Sequence, residues 1–479
     1  MKFLTSVASS LAIVQGAIAA FGLTSSSSRF IVDTDGGLVF EVNRSNGDIT
    51  STGKASAINS GLGTSTVTGE TVNGYVKITV KSSGLPVTHY YVAKPKDAMI
   101  YMATYITNEV DPGELRWLAR LRTSELPSGV HGNVGDSRGC TAFEGKDTFK
   151  CSNGQTRCKM YTSGRFIDDK VHCISGSKAS VCMIMPGVAH ETSASELYWY
   201  MNSGHVRTEP WRFGLQGPYA MAFGAANYKP SESLDPSFFS GLSIQGYVPS
   251  SGRGSVTGTT SGVPDGFETV VHFHNPNAQY WAKASGGKYT SLQMKPGTYS
   301  VKLYKQEFLV ANDTVTVTAA QTTLKDIRIG NFDGQPFDLK NGDKIERMHP
   351  SDTRMSTWGG SYTVGSSKAT DFPMALWSKE GGTVTVTFTL TQAQVKGHVL
   401  RIGTTLSFKG GRPLVKVNSW TGTDPGAPTL IDSRGVTRGA YRGYGNVYTW
   451  SVPSSAFQGS GDASWLSANY IVGALELQD

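Results

Sequence analysis

Four stretches concentrate cations and aromatic residues in glycine-rich settings. The first is Gly113-Glu-Leu-Arg116-Trp-Leu-Ala-Arg120. On an extended strand, side chains repeat every two residues, so Arg116 and Arg120 share one face. Two guanidiniums there suit a carboxylate, which they hold through bidentate contacts. A pair of solvated surface arginines fits the same spacing. The second stretch is Thr156-Arg-Cys-Lys159-Met-Tyr161, followed by Ser163-Gly-Arg165-Phe-Ile-Asp-Asp-Lys170. Lys159 becomes a base if its pKa falls. Burial and nearby cations push it down, and a substrate carboxylate pushes it up. A solvated lysine is the plain alternative.

The third stretch is Leu197-Tyr198-Trp-Tyr200-Met-Asn-Ser-Gly-His205-Val-Arg207. Tyr198 and Tyr200 share a strand face, where their rings suit sugars and their hydroxyls can hydrogen-bond to them. His205 follows a glycine, which places it at a strand end or turn. An imidazole titrating near neutrality can protonate a leaving oxygen. An aromatic core strand with a satisfied histidine fits equally. The fourth stretch is Asp432-Ser-Arg434-Gly-Val-Thr-Arg438-Gly-Ala-Tyr-Arg442. Glycine disfavours a helix here, so the arginines belong to a loop presenting cations. Such a loop suits a uronate polymer, and a solvated loop is the alternative. The chain has no H-E-x-x-H motif or phosphate-binding loop.

The elements that must position these groups are short strands. The 479 residues exceed one hydrophobic core, so several domains are expected. Only 17% of residues are charged and 56 are glycine, a balance that favours strands and turns over long helices. Met1-Lys2, an apolar run from Phe3 to Ile13, and Ala17-Ile18-Ala19 read as a signal peptide over residues 1–19. The mature chain then begins at Ala20. No later segment has the apolar length of a membrane span, so a secreted, extracellular protein is expected.

Residues 20–246 alternate apolar and polar positions in many short runs, such as Gly74-Tyr-Val-Lys-Ile-Thr-Val. That pattern predicts a large antiparallel β-sandwich whose strands bury one face. Residues 247–328 carry closely spaced strands and a Lys295-Pro-Gly-Thr-Tyr turn, which predicts a small immunoglobulin-like or fibronectin-like sandwich. Residues 329–479 read as a jelly roll of the carbohydrate-binding sort.

Export makes the five cysteines disulfide candidates. Cys173 and Cys182 flank a short closed loop, while Cys140, Cys151 and Cys158 leave one odd thiol. No C-x-x-C pair exists, which disfavours a cysteine zinc site. Asn43 and Asn312 head glycosylation sequons. The net charge of +7 suits nucleic acid, membrane or an acidic polymer. Secretion disfavours the first, and the lack of a basic run or basic amphipathic helix disfavours the second. An extracellular polyanion such as pectin remains.

Together these motifs resemble the rhamnogalacturonan lyases of polysaccharide lyase family four over essentially the whole mature chain. The resemblance rests on GELRW around Arg116, RFIDD from Arg165, YWYMNSGH from Tyr198, DGQP from Asp333, RMHPSD from Arg347, GTTLSF from Gly403, GGRP from Gly410 and SRGVTRGAYRG from Ser433. It implies a mainly β protein: a galactose-mutarotase-like sandwich, a fibronectin type III-like domain and a jelly-roll carbohydrate-binding-like domain. It also implies β-elimination at the rhamnose-to-galacturonate bond of the pectin backbone. In that reading Lys159 is the base and His205 the acid. Arg116 stabilises the developing enolate-like charge, Arg120, Tyr198 and Tyr200 line the cleft, and Arg434 and Arg438 hold a distant galacturonate. No cofactor is needed for such chemistry. No calcium-loop motif is present, which leaves a structural calcium ion open. The partner is the polysaccharide, and a monomer is expected.

The sequence departs from the family pattern in places. Cys158 precedes the base where a small hydroxyl residue is expected. A disulfide of the first sheet is replaced by Gly47 and Val80. A hydrolase using two of Asp168, Asp169, Glu196 and Glu209 is one rival reading. A sugar-binding protein without activity is another.

Overall fold

The structure is a computed structural model. It describes residues 20–51, 61–110, 115–122, 124–129, 139–144, 148–152, 156–158, 170–185, 190–193, 196–202, 212–263, 268–305, 308–328, 337–339, 359–368, 371, 375–376, 382–404, 411–428, 446–457, 463–467 and 470–478. Among them the architecture is almost wholly β, with short 3₁₀ turns and no α-helix. No helix among the described residues is long and apolar enough to cross a membrane.

An eight-stranded antiparallel sheet dominates the first region. Its spatial order is Ser128–Gly129, Val171–Ser175, Ser180–Ile184, Gly214–Gly224, Met99–Ile106, Val87–Ala93, Tyr75–Ser82 and Ser65–Val72. Alternate positions go to opposite faces. Ile78, Val80, Tyr91, Met102, Val181 and Met221 pack into one core with Phe30, Val32, Phe40 and Val42 of the N-terminal four-stranded sheet. The opposite face is buried too, which corrects the expectation that the strands bury one face only. Tyr90, Val92, Tyr101, Ala103, Ile184 and Ala220 form a second core with Phe239, Leu242 and Ile244. The cover is a largely irregular segment. Its Phe238 ring stacks on Tyr75 at 4.8 Å and meets Tyr101 edge-on at 5.0 Å. Lys77 is drawn into the same cover, donating from Nζ to the Leu242 carbonyl at 2.6 Å while pairing with Glu70 at 2.8 Å.

Gly47 and Val80 meet across the first core. The Gly47 backbone has φ of 73°, and a Cβ built on it would lie 2.3 Å from Val80 Cγ1. The pair therefore occupies one shared space, which the valine fills while glycine supplies the left-handed conformation. The Gly47 carbonyl accepts the buried Tyr91 hydroxyl at 3.0 Å.

The second region is a sandwich of two four-stranded sheets around Val256, Val271, Phe273, Tyr299, Val301 and Leu303. The strand Ser255–Ser261 pairs in parallel with Thr322–Leu324 and Ile327–Arg328. Gly258 permits this closeness, because a Cβ there would lie 1.8 Å from the Lys325 carbonyl oxygen. The third region places two five-stranded sheets around Tyr362, Val384, Val386, Leu400, Ile402, Val415 and Trp450.

Hydrogen bonds tie the regions together. The Phe213 amide donates to the Pro276 carbonyl at 2.8 Å, and Lys295 Nζ donates to the Leu215 carbonyl at 2.9 Å. Arg401 Nη2 donates to the Leu309 carbonyl at 3.3 Å.

Candidate active site

A separate three-stranded antiparallel sheet carries two of the four chemistry-bearing stretches. Its order is His190–Ser193, Glu196–Asn202 and Leu115–Arg120. The register sets Arg116 opposite Tyr200, Leu118 opposite Tyr198 and Arg120 opposite Glu196. Positions directly opposite in an antiparallel pair belong to the same face. The other face is fixed by burial: Leu115, Trp117, Ala119, Leu197 and Met201 all enter the first core. Trp117 packs edge-on to Tyr219 of the main sheet at 6.4 Å. Apolar alternation thus assigns positions 116, 118, 120, 198 and 200 to the sheet face away from the core. Arg120 is exposed there. By register Arg116 and Arg120 occupy alternate positions of one strand, as Tyr198 and Tyr200 do of the next.

Arg212 anchors this sheet, and a disulfide staples the separate meander that leads to Lys159. Arg212 is buried, and its Nη2 donates to the Met201 carbonyl at 2.7 Å, close to the register shift between Tyr200 and Asn202. The Arg212 carbonyl in turn accepts from Gln216 Nε2 at 3.2 Å. Sequence reasoning missed Arg212. Its one signal is an arginine lodged between Trp211 and Phe213, where a charge has little reason to sit unless it is bonded inside.

Cys140 and Cys151 bond at 2.02 Å, directly opposite each other on adjacent strands. The strand Thr148–Cys151 pairs onward with Thr156–Cys158, setting Thr148 against Cys158. A stapled three-stranded meander therefore leads up to the residue before Lys159. Cys173 and Cys182 also bond, as expected, linking facing residues of two main-sheet strands. These two bonds use four of the five cysteines, and Cys158 is the fifth.

Lys159, His205, Arg434 and Arg438 lie outside the described residues. The chain leads to each of the first two from a described strand end, Cys158 before Lys159 and Asn202 before His205. Asn43 and Asn312 are both described. Asn43 is partly exposed at a strand end, and its Oδ1 accepts from the Ser45 hydroxyl at 2.8 Å. Asn312 is exposed on the strand Phe308–Val317. Among the described residues, no cluster of three or more His, Cys, Asp or Glu side chains is placed to hold a metal.

The described regions define a multidomain, almost wholly β protein with arginine and tyrosine positions in one small sheet. Comparison with known proteins narrows this. The family described as "Rhamnogalacturonan lyase B, N-terminal" matches residues 21–246. "Polysaccharide lyase family 4, domain II" matches residues 252–325, and domain III of the same family matches 327–467. The chain belongs to polysaccharide lyase family 4. It is 47% identical to "Rhamnogalacturonate lyase A" of Emericella nidulans, over 96% of both chains. It is 46% identical to "Rhamnogalacturonate lyase A" of Aspergillus aculeatus, over 97% of both.

Proposed function

We propose that this polysaccharide lyase is a secreted, monomeric, endo-acting enzyme that cleaves rhamnogalacturonan at the rhamnose-to-galacturonate bond by β-elimination. The observation that carries the reading is the end-to-end similarity to proteins named rhamnogalacturonate lyase A. The register of Arg116 against Tyr200 supports it.

Lys159, as the neutral amine, takes the proton from C5 of galacturonate, which is α to the carboxylate. The C5–H electrons form the C4=C5 double bond as the C4–O bond breaks. His205 delivers a proton to the oxygen leaving with rhamnose. Charge builds on the uronate carboxylate during this step, and a fixed guanidinium at Arg116 lowers its energy. Arg120 holds the carboxylate with Arg116, and Tyr198 and Tyr200 line the cleft. Arg434 and Arg438 hold a more distant galacturonate. No cofactor enters these steps. Cys140–Cys151, Cys173–Cys182 and the sequons at Asn43 and Asn312 all suit export. Loss of a leader at residues 1–19 fits the same route.

Digestion followed by ultraviolet absorbance tests the reaction. Rhamnogalacturonan should yield the conjugated double bond of an unsaturated uronate, and polygalacturonate should not. Release of reducing ends without that absorbance means hydrolysis. A signal from polygalacturonate alone means the substrate is misassigned.

A further inference from the structure

A crevice of about 370 Å³ lies where the first region meets the second. Its walls come from the start of the strand Gly214–Gly224, the segment around Pro236 and Tyr247, and the second-region residues Arg253, Ala278 to Tyr280, Leu292, Gln293 and Lys295. Arg212, Arg253 and Lys295 all line it, and no carboxylate does among the described residues. Among the described residues, neither Arg253 nor Lys295 pairs with an acidic side chain. Arg253 donates from Nε to the Val248 carbonyl at 2.8 Å and from Nη1 to the Gln293 carbonyl at 3.3 Å. The Tyr280 hydroxyl lies 3.5 Å from Arg253 Nη1 and accepts the Lys295 amide at 3.0 Å, so one phenol bridges both residues.

Two cations held in a half-buried crevice without a counter-charge raise each other's free energy. Burial, and secondarily Arg253, bring the Lys295 amine down to about 8. A bound anion relieves both effects, because an opposite charge favours the protonated amine. The remaining walls are chemically divided. Gln279, Gln293 and Asn277 offer amides, while Leu292 is 50% exposed on the same rim, beside Leu234 and Pro236. A ligand with a carboxylate, hydroxyls and an apolar edge matches this division. The size lies in the range of small-ligand pockets.

We propose that this crevice is a second carbohydrate site, one that takes a galacturonate carboxylate between Arg253 and Lys295 and sets the methyl of a neighbouring deoxy sugar against Leu292. The inference rests on the rhamnogalacturonan reading for the identity of its sugars. The site is also mechanically connected to the cleft. Arg212 lines the crevice and holds the Met201 carbonyl on the strand of Tyr198 and Tyr200.

The test uses the full-length protein labelled with fluorotyrosine, with the Tyr280 fluorine resonance assigned through Tyr280→Phe. The probe is the galacturonate–rhamnose disaccharide that contains no rhamnose-to-galacturonate bond to cut. Titration should shift the Tyr280 resonance to saturation. Galacturonate alone should shift it more weakly, and the carboxyl-reduced disaccharide should need at least about tenfold more ligand, as loss of a charge-assisted hydrogen bond requires. Lys295→Met should move the midpoint at least about tenfold upward, and Leu292→Glu should move it upward by about two- to fivefold. Leu292→Glu removes no hydrogen bond of the fold, so it reads binding even if Lys295→Met loosens the junction.

A Tyr280 resonance that does not move, or that moves equally with the neutral disaccharide, overturns the proposal. Absorbance from rhamnogalacturonan digestion is read separately. A protein that forms unsaturated product while Tyr280 stays still loses this site alone. One whose Tyr280 titrates without any unsaturated product loses the reaction assignment and keeps the site.

Discussion

The eight-stranded sheet and the three-stranded sheet are built from the same alternating pattern and end in opposite conditions. In the large sheet both sets of alternate residues are buried, one against Phe40 and Val42, the other under Phe239 and Leu242. In the small sheet one set, led by Trp117 and Leu197, enters the core. The positions of Arg116, Arg120, Tyr198 and Tyr200 form the other set. A sheet covered twice is mainly scaffold, with exposed side chains on its edge strand Ser65–Val72 and crevice-lining residues at the start of Gly214–Gly224. In the small sheet the set opposite the core includes the exposed Arg120. Rigidity for the second comes from its contact with the first, through Trp117 against Tyr219 and Arg212 beneath Met201.

The sharpest way to break this contrast is to change one group on each side. Lys159→Ala, on the reactive side, should lower kcat by roughly 10⁴-fold, the upper end of general-base contributions. Thermal unfolding and polymer binding should stay near wild type. Retained turnover removes Lys159 as the base.

Phe239→Ala, on the scaffold's outer cover, should do the reverse. Deleting a buried phenylalanine costs about 3–5 kcal/mol in unfolding free energy, and kcat per folded molecule should be unchanged. A large kcat loss without destabilisation shows that the cover belongs to the site.

Cys140→Ser with Cys151→Ser probes the element between the two conditions. Opening so short a loop costs roughly 3 kcal/mol on chain-entropy grounds. Because the bond anchors the strands ending at Cys158, kcat should fall along with local stability, which hydrogen exchange of Thr148–Cys151 would register. Unchanged kcat detaches the meander from catalysis.

Tyr200→Ala is the mildest change. Loss of one aromatic platform should raise KM about tenfold with kcat little altered, as expected for a group that binds ground state and transition state alike. A drop in kcat at constant KM moves Tyr200 from the cleft lining into the chemistry.

The small sheet was legible because its signal is local. Period-two spacing within Leu115–Arg120 and Glu196–Asn202 already sorts arginines and tyrosines from Trp117, Leu197 and Met201. The second face of the large sheet was not legible. Its cover comes from a stretch whose regular structure is the short 3₁₀ turn Ser237–Gly241, and it lies far along the chain from most of the strands it protects, so no strand period announces it. Cysteine pairing divided in the same way. Cys173 and Cys182 close a short hairpin, whereas Cys151 lies between Cys140 and Cys158, and only strand register selects Cys140. Arg212 and Lys295 were missed as contact residues for a related reason. Their bonds reach carbonyls of Met201 and Leu215, and a backbone carbonyl has no letter in the sequence.

The Gly47–Val80 contact bears on how this framework can change over time. Either residue altered alone meets a penalty. A lone Gly47→Cys drives sulfur and carbon into the valine in a backbone conformation that suits glycine, and a lone Val80→Cys leaves a buried thiol and a gap. Only both changes together convert the contact into a covalent tie. Exchanging hydrocarbon filling for a cross-link at this contact therefore takes two substitutions, each unfavourable without the other.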